Sequence, residues 1–247
     1  MSYSVILPTF NESGHIIKLI KQINKILKRK TVYYEIIVVD DNSIDGTQHI
    51  VKKYLKKNIF LRLLIRNKKK RNLAQSINYG IKKSRFKYVI WMDADFQHPP
   101  KFINNLIKNS DKADTIICSR FLNGSKRYFM KKKNVKGINE NQSIFFNKVC
   151  NFFLFKDIKD FTSGFVCLKK SIIKNYNLHG YYGDYFLNLI CYLKKKNNSI
   201  VEIPFEDSKR ATGQSKTIEN FNFKYIYICF RYFLSFIMNI FKKYLFK

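Results

Sequence analysis

What constrains this chain most is an alternation of strand-like and helix-like segments. Residues 4–7, 35–39, 61–65, 88–92 and 115–118 are nearly continuous apolar runs of strand length, bounded by polar turns, and read as buried strands. Between them, Ile16, Ile20, Ile23 and Leu27 recur at helical spacing, as do Leu73, Ala74, Ile77 and Ile81. Asp45-Gly46 predicts a turn with Thr47 capping the next helix, and Pro99-Pro100 predict a helix start, where proline is tolerated. Strands alternating with helices imply an α/β fold with a mostly parallel sheet covered on both faces.

In such sheets ligands sit at the carboxyl ends of the strands. Asn11-Glu12, Asp40-Asp41 and residues 93–97 all fall at those ends, so one edge gathers three acidic clusters. The second half is less regular. Residues 123–142 read as a lysine-rich loop, 164–168 and 200–203 as strands, 184–195 as a helix and 208–216 as a basic loop. The expected organisation is a domain over residues 1–216 and an appended amphipathic helix over 217–247.

The motif with the clearest chemistry is Asp93-x-Asp95-x-Gln97. Two carboxylates two residues apart, just past a buried strand, can reach one hard cation, and an amide oxygen can add a ligand. Mg²⁺ or Mn²⁺ prefers oxygen ligands and binds substrate phosphates as well. Asp40 and Asp41 either accept hydrogen bonds from a base or ribose, or form an acidic helix N-terminus. Arg210 and Lys216 bracket the small polar run Ala211-Thr212-Gly213-Gln214-Ser215, a loop able to close over a diphosphate or a merely solvated basic run. No histidine is placed as a general base. His98, beside the acidic motif, reads as structural, and His15, His49 and His179 as incidental.

Charge narrows the partners without choosing among them. There are 47 Lys and Arg against 17 Asp and Glu, a net charge of +30. That draws polyanions: nucleic acid, an anionic membrane or phosphorylated small molecules. The abundance of Lys, Asn and Ile is also what compositional drift produces. Nucleic-acid binding is disfavoured, because the basic residues are scattered rather than set on one basic helix or a stacking platform. The five cysteines form no CxxC pair and no Cys/His cluster, so buried thiols in a reducing compartment are expected. No signal-peptide pattern precedes the first strand, and the expected location is cytoplasmic.

The tail bears on the acceptor. From Phe221 to Phe246 apolar and aromatic residues dominate. The 17-residue stretch Tyr225–Phe241 is short for a membrane span and carries Arg231 centrally. An amphipathic helix lying in a membrane interface is expected, with a helix packed on the domain as the alternative.

Taken together, the motifs resemble family-2 glycosyltransferases with the GT-A fold, and within them the dolichol-phosphate mannose synthase and polyprenyl-phosphate glycosyltransferase group. The matching segments are residues 5–12 (Val-Ile-Leu-Pro-Thr-Phe-Asn-Glu), 37–47, 92–100 (Met-Asp-Ala-Asp-Phe-Gln-His-Pro-Pro), 119–121, 163–165, 182–186 and 201–216. The resemblance implies that Pro8, Phe10, Glu12, Val39 and Asp41 line a nucleotide pocket. It implies that Asp93, Asp95 and Gln97 hold Mg²⁺ or Mn²⁺, and that Arg120 contacts phosphate at the reaction centre. Arg210 and Lys216 would grip a diphosphate or an acceptor phosphate, and Asp184 would stand near the acceptor. The implied reaction is inverting transfer of a hexose, mannose favoured, from GDP-mannose or UDP-glucose to a lipid monophosphate, at the cytoplasmic face of a membrane. Alternatives are a surface polysaccharide or glycolipid acceptor, a basic nucleic-acid binder, or an inactive scaffold. Two departures stand out. Asn72-Leu73 replaces a usual Gly-Leu, and Lys131, Lys132, Lys133 and Lys136 stand where relatives place an arginine.

Overall fold

The computed structural model describes residues 1–30, 32–67, 71–125, 138–180, 182–208, 210 and 223–244. Seven strands form one sheet in the order β3-β2-β1-β4-β6-β5-β7. They are β1 (Ser2–Thr9), β2 (Tyr33–Asp40), β3 (Leu61–Ile65), β4 (Tyr88–Trp91), β5 (Thr115–Ser119), β6 (Val166–Lys169) and β7 (Ile200–Pro204). β1, β2, β3 and β4 pair in parallel, as do β5 and β7, while β6 runs antiparallel between β4 and β5. The helices are α1 (Ile16–Lys28), α2 (Thr47–Leu55), α3 (Leu73–Lys83), α4 (Ile103–Asn109), α5 (Ile138–Phe153), α6 (Asp184–Lys195) and α7 (Phe223–Tyr244).

Valine and isoleucine dominate the central strands, as suits a sheet buried on both faces. Successive side chains point to opposite sides. Val5 and Leu7 of β1 join the layer beneath α1 and α4, whereas Ile6 joins Val39, Trp91 and Ile77 in the layer beneath α3 and α6. Two cores therefore hold the sheet rigid, and its carboxyl edge becomes a fixed platform.

Several expectations are corrected locally. Thr47 is not a cap. Gly46, with φ 91°, holds the cap position of α2 and makes no side-chain bond. The Thr47 hydroxyl instead donates to Asp45 and accepts the N–H of Glu12, tying the first loop to the second. Pro99-Pro100 lead first into a 3-10 turn, Pro100–Phe102, and only then into α4. β6 begins at Val166 rather than Gly164, whose φ of 70° leaves the strand region. The stretch read as a loop to residue 142 is helical from Ile138. Asn72 needs no glycine's freedom. Its backbone is extended (φ −155°, ψ 114°), and its side chain caps α3 by accepting the Gln75 N–H.

α7 both packs and projects. Ile228, Ser235, Phe236 and Asn239 are buried against the body, and Asn239 donates to Asn188 of α6. Its opposite face exposes Ile226, Tyr227, Phe230, Phe233, Leu234, Met238, Phe241 and Tyr244. At 100° per residue these eight fall within an arc of roughly 140°. Among the described residues no helix is long and apolar enough to cross a membrane.

Candidate functional site

The site lies along the carboxyl edge of β1, β2 and β4. Four non-glycine residues among those described have positive φ. Three of them, Asn11, Asn42 and Phe96, stand just past those three strands. Asparagine tolerates that region, but for phenylalanine it is a costly conformation that the surroundings must enforce. Here the enforcement comes from the loop after β7. Ser208 donates its hydroxyl to the Phe96 carbonyl and its N–H to the Gln97 carbonyl.

That clamp shapes the acidic motif. Asp95 is buried, and one of its carboxylate oxygens accepts the Gln97 N–H at 2.9 Å. Arg210 faces it at 2.8 Å and also donates to the Gln97 side-chain oxygen at 3.0 Å. Burial, and then the charge of Asp93, push the Asp95 carboxyl above the usual carboxylate range, with Arg210 opposing them. Asp93 is more open, its side chain 42% exposed. Its N–H donates to Nδ1 of buried His98 at 3.0 Å, so the neutral ring carries its proton on Nε2. Burial holds His98 down to about 4, and its ring stacks on Phe165. His98 therefore shapes the motif and stays uncharged near neutrality.

The donor chemistry fits a hard divalent cation. Two carboxylates and an amide oxygen form an all-oxygen set, and the site already attracts a cationic group, the Arg210 guanidinium. Among the described residues there is no group of three or more His, Cys, Asp or Glu that could hold a metal. A Mg²⁺ ion bound together with substrate phosphates commonly takes only one or two carboxylates from the protein.

Beside this motif, Glu12 is buried and pairs with His15 at 2.9 Å; the His15 ring in turn lies 5.9 Å from Phe96. His15 is thus a strut between the first and third loops rather than incidental. Phe10 lies under Arg71, 4.1 Å from guanidinium carbon to ring centroid. Pro8 is half-buried at the end of β1, opposite Val39. The Val39 side chain is a correction: it is fully buried in the core beneath α3 rather than open to the strand-end edge. Asp40 is turned inward onto Ser43 and Gln48. Asp41 pairs with buried Arg66 at 2.5 Å and accepts the Asn72 N–H at 2.9 Å. Sequence reasoning missed Arg66, although it stands one residue past β3 at the same edge.

A second group lies beyond β4. Arg120 donates through Nε and Nη2 to both oxygens of Asp160, each at 2.8 Å, and to Thr162 at 2.7 Å. Asp160 is fully buried. Burial raises its carboxyl, but Arg120 outweighs burial and holds it below the usual range. Asp160 went unrecognised because it lies on irregular chain before β6. Asp184 opens α6, fully buried, with Arg231 of α7 at 3.6 Å. Next to it, Gly183 approaches the Tyr232 hydroxyl so closely that a Cβ would stand 2.1 Å from that oxygen. The structure thus brings Asp93, Asp95, Gln97 and Arg210 together, with Glu12 on the adjoining loop and Arg120 and Asp184 on the flank. Lys216 and Lys131, Lys132, Lys133 and Lys136 lie outside the described residues.

Comparison with known proteins gives this geometry a context. The Glycosyl transferase family 2 profile matches residues 4–176. The chain is 33% identical over 234 residues to a dolichol-phosphate mannosyltransferase of Pyrococcus furiosus, covering 92% of this chain and 62% of that relative's length. It is 30% identical over 214 residues to an uncharacterized protein of Methanocaldococcus jannaschii, covering 80% of this chain and 84% of the relative. Among solved structures, glucosyl-3-phosphoglycerate synthase from Mycobacterium tuberculosis, in complex with Mn²⁺, UDP-glucose and phosphoglyceric acid, matches with a TM-score of 0.69. At 14% identity, covering 97% of this chain and 79% of that one, the likeness is one of fold.

Proposed function

We propose that this chain, which belongs to glycosyl transferase family 2, moves a hexosyl group from a nucleotide-sugar to a polyprenyl or dolichyl monophosphate, with inversion at the anomeric carbon. The observation that carries the reading is the oxygen-rich motif Asp93-x-Asp95-x-Gln97 at the end of β4, faced by Arg210. The description of the Pyrococcus relative as a dolichol-phosphate mannosyltransferase supports mannose and the lipid phosphate.

On this reading GDP-mannose or UDP-glucose lies across the ends of β1, β2 and β4. Pro8, Phe10, Glu12 and Asp41 line the nucleoside side. Asp93, Asp95 and Gln97 would hold Mg²⁺ or Mn²⁺, and Arg210 and Lys216 the diphosphate. The cation, when bound, supplies positive charge against the charge developing on the leaving diphosphate. An anionic oxygen of the acceptor phosphate attacks the anomeric carbon in line as the bond to the nucleoside diphosphate breaks. That oxygen needs no deprotonation, which suits a site where His98 is neutral and occupied by a backbone N–H. Asp160 holds the Arg120 guanidinium in one plane, ready for the acceptor phosphate. Asp184, tied to Arg231, positions α7 beside that phosphate rather than taking a proton.

The exposed face of α7 supports a peripheral place on a membrane, with its aromatic rings at headgroup depth. All five cysteines are free thiols, which supports the cytoplasmic face. Residues 1–216 act as the transferase domain and 217–247 as its membrane-side helix.

Labelled GDP-mannose or UDP-glucose, incubated with the protein, Mn²⁺ and a polyprenyl monophosphate, tests this reading. The expected result is label in the lipid extract, with turnover lowered at least about 100-fold in Asp95→Asn. Label appearing only in polysaccharide, or an unimpaired Asp95→Asn, would contradict it.

A further inference from the structure

The ion pair on the flank leaves hydrogen-bond donors unspent. Arg120 meets both oxygens of Asp160 through Nε and Nη2, and Nη2 also reaches Thr162. That side-on pairing uses one edge of the guanidinium. Among the described residues, Nη1 keeps both of its N–H groups. A guanidinium fixed by a fully buried carboxylate, with one edge unspent, is prepared for an anion.

A hydroxyl from α7 stands in the same neighbourhood. Ile228, Tyr232 and Phe236 follow one another at four-residue spacing, so Tyr232 lies on the face of α7 turned to the body. Its ring packs edge-on against Phe146 of α5, with centroids 5.3 Å apart. Its hydroxyl reaches the start of α6, where a Cβ on Gly183 would stand 2.1 Å from the oxygen. Glycine at residue 183 is what leaves room for it. Arg120, Asp160 and Asp184 are all close enough to act on that hydroxyl electrostatically. Burial first, and then the Asp184 charge, push it above the usual tyrosine range, so it stays protonated near neutrality and can donate. Among the described residues no hydrogen bond uses it. Arg231, the preceding residue of α7, faces Asp184 at 3.6 Å and answers its charge.

Tyr185, the second residue of α6, joins this place to the acidic motif. Its hydroxyl accepts the indole N–H of Trp91, the last residue of β4, at 3.2 Å. Both Asp93 and Tyr232 act on it electrostatically. A row of neighbours therefore runs from Asp93 through Tyr185 and Tyr232 to Arg120. The flank adjoins the Asp93 edge, as in-line attack by a phosphate held on the flank requires.

We propose that Tyr232 is a binding residue for the acceptor: its hydroxyl donates a hydrogen bond to a non-attacking oxygen of the lipid monophosphate, beside Nη1 of Arg120. The inference rests on the lipid-phosphate reading of the acceptor, and not on the sugar or the nucleotide. Tyr232 belongs to α7, so the helix that carries the exposed apolar stripe also completes the acceptor site. The phosphate is fully gripped only while α7 is docked on α5 and α6.

Calorimetry of the full chain in detergent with geranyl phosphate, a short lipid monophosphate, tests it. Wild type is expected to bind saturably. Tyr232→Phe keeps the ring and its packing on Phe146 but removes one hydrogen bond to a charged group, so a loss of about 10- to 100-fold is expected. Binding of GDP or UDP with Mn²⁺ is expected to stay within about twofold, and Tm within about 2 °C. Gly183→Ala is expected to weaken geranyl phosphate by a similar factor, because the new Cβ displaces the hydroxyl. In the Tyr232→Phe background the same change is expected to add less than about threefold, since the nearest ring carbon stands 3.4 Å from that Cβ. Unchanged geranyl phosphate binding in Tyr232→Phe, or an equal loss of nucleotide binding, would overturn the role of Tyr232. A Gly183→Ala loss of the same size in both backgrounds would overturn the placement of the hydroxyl. Wild type that binds no geranyl phosphate overturns the inference together with the lipid-phosphate acceptor. Wild type that binds it, loses it in Tyr232→Phe and yet moves no label in the lipid-extraction assay supports Tyr232 and counts against the transfer reading alone.

Discussion

The two sides of the site are held by different means. Along the ends of β1, β2 and β4, many of the ties are short in sequence. Asp40 is fixed by Ser43 and Gln48, Glu12 by His15, and the Asp93 N–H by His98. On the flank, Arg120 meets Asp160 and Asp184 meets Arg231, partners 40 or more residues apart. The strand-end side is thus set partly by loops that fold on themselves, with Thr47, Arg66, Ser208 and Arg210 as longer-range ties. The flank exists only once β6 and α7 have docked. The first arrangement rests largely on local ties, whereas the second depends on packing between segments distant in sequence.

Breaking the flank gives the largest expected effect on stability. Asp160→Ala leaves the Arg120 guanidinium without its buried partner, a change that costs about 3–5 kcal/mol. For a chain of this size that lowers Tm by roughly 10–15 °C. A melt by circular dichroism within about 2 °C of wild type would show that the flank does not depend on this pair.

The same contrast explains what was legible in the sequence. The strands at 61–65 and the helix at 184–195 coincide with β3 and α6, because continuous apolar runs and helical periodicity are local signals. The Asp93–Gln97 motif was legible for the same reason: its residues are neighbours past a buried strand. Thr47 misled because a hydroxyl before a helix resembles a cap, and only tertiary structure reveals that it bridges Asp45 and Glu12. Val39 misled because a place at the right strand end does not say which way the side chain points. Asp160 and Tyr232 carried no local signal, since their neighbours are supplied by distant segments. Position could have suggested Arg66, a cation one residue past β3 at an edge with buried carboxylates.

A smaller effect sharpens the nucleotide side. Arg210 now faces Asp95 and Gln97, where a cation would approach. Arg210→Ala is therefore expected to tighten Mn²⁺ binding without nucleotide by about 3–10-fold, a partly buried ion pair being worth about 1 kcal/mol. Titration followed by electron paramagnetic resonance measures it. Weaker Mn²⁺ binding would mean that Arg210 supports the site instead of competing for it.

The smallest expected effect lies at the opposite edge of the sheet, away from both groups. Asp114 is held down to about 2, chiefly by its hydrogen bond from Lys169 and those from Ser199. A carboxyl with a depressed pKa stabilises the fold above its unfolded pKa, and that contribution fades as pH falls from about 4 to 2. Asp114→Asn should lower Tm by a few degrees at pH 7, and the difference should shrink across that window. A difference independent of pH would assign the loss to geometry rather than charge.

The central claim is that the Asp93-x-Asp95-x-Gln97 edge binds a nucleotide diphosphate through a divalent cation. Calorimetric titration of the wild-type chain and of Asp95→Asn with GDP and with UDP, each with and without Mn²⁺, tests it most directly. The account predicts saturable binding of one nucleotide that requires Mn²⁺ and weakens at least about 100-fold in Asp95→Asn. Binding of equal strength without the cation, or unchanged in Asp95→Asn, would contradict it.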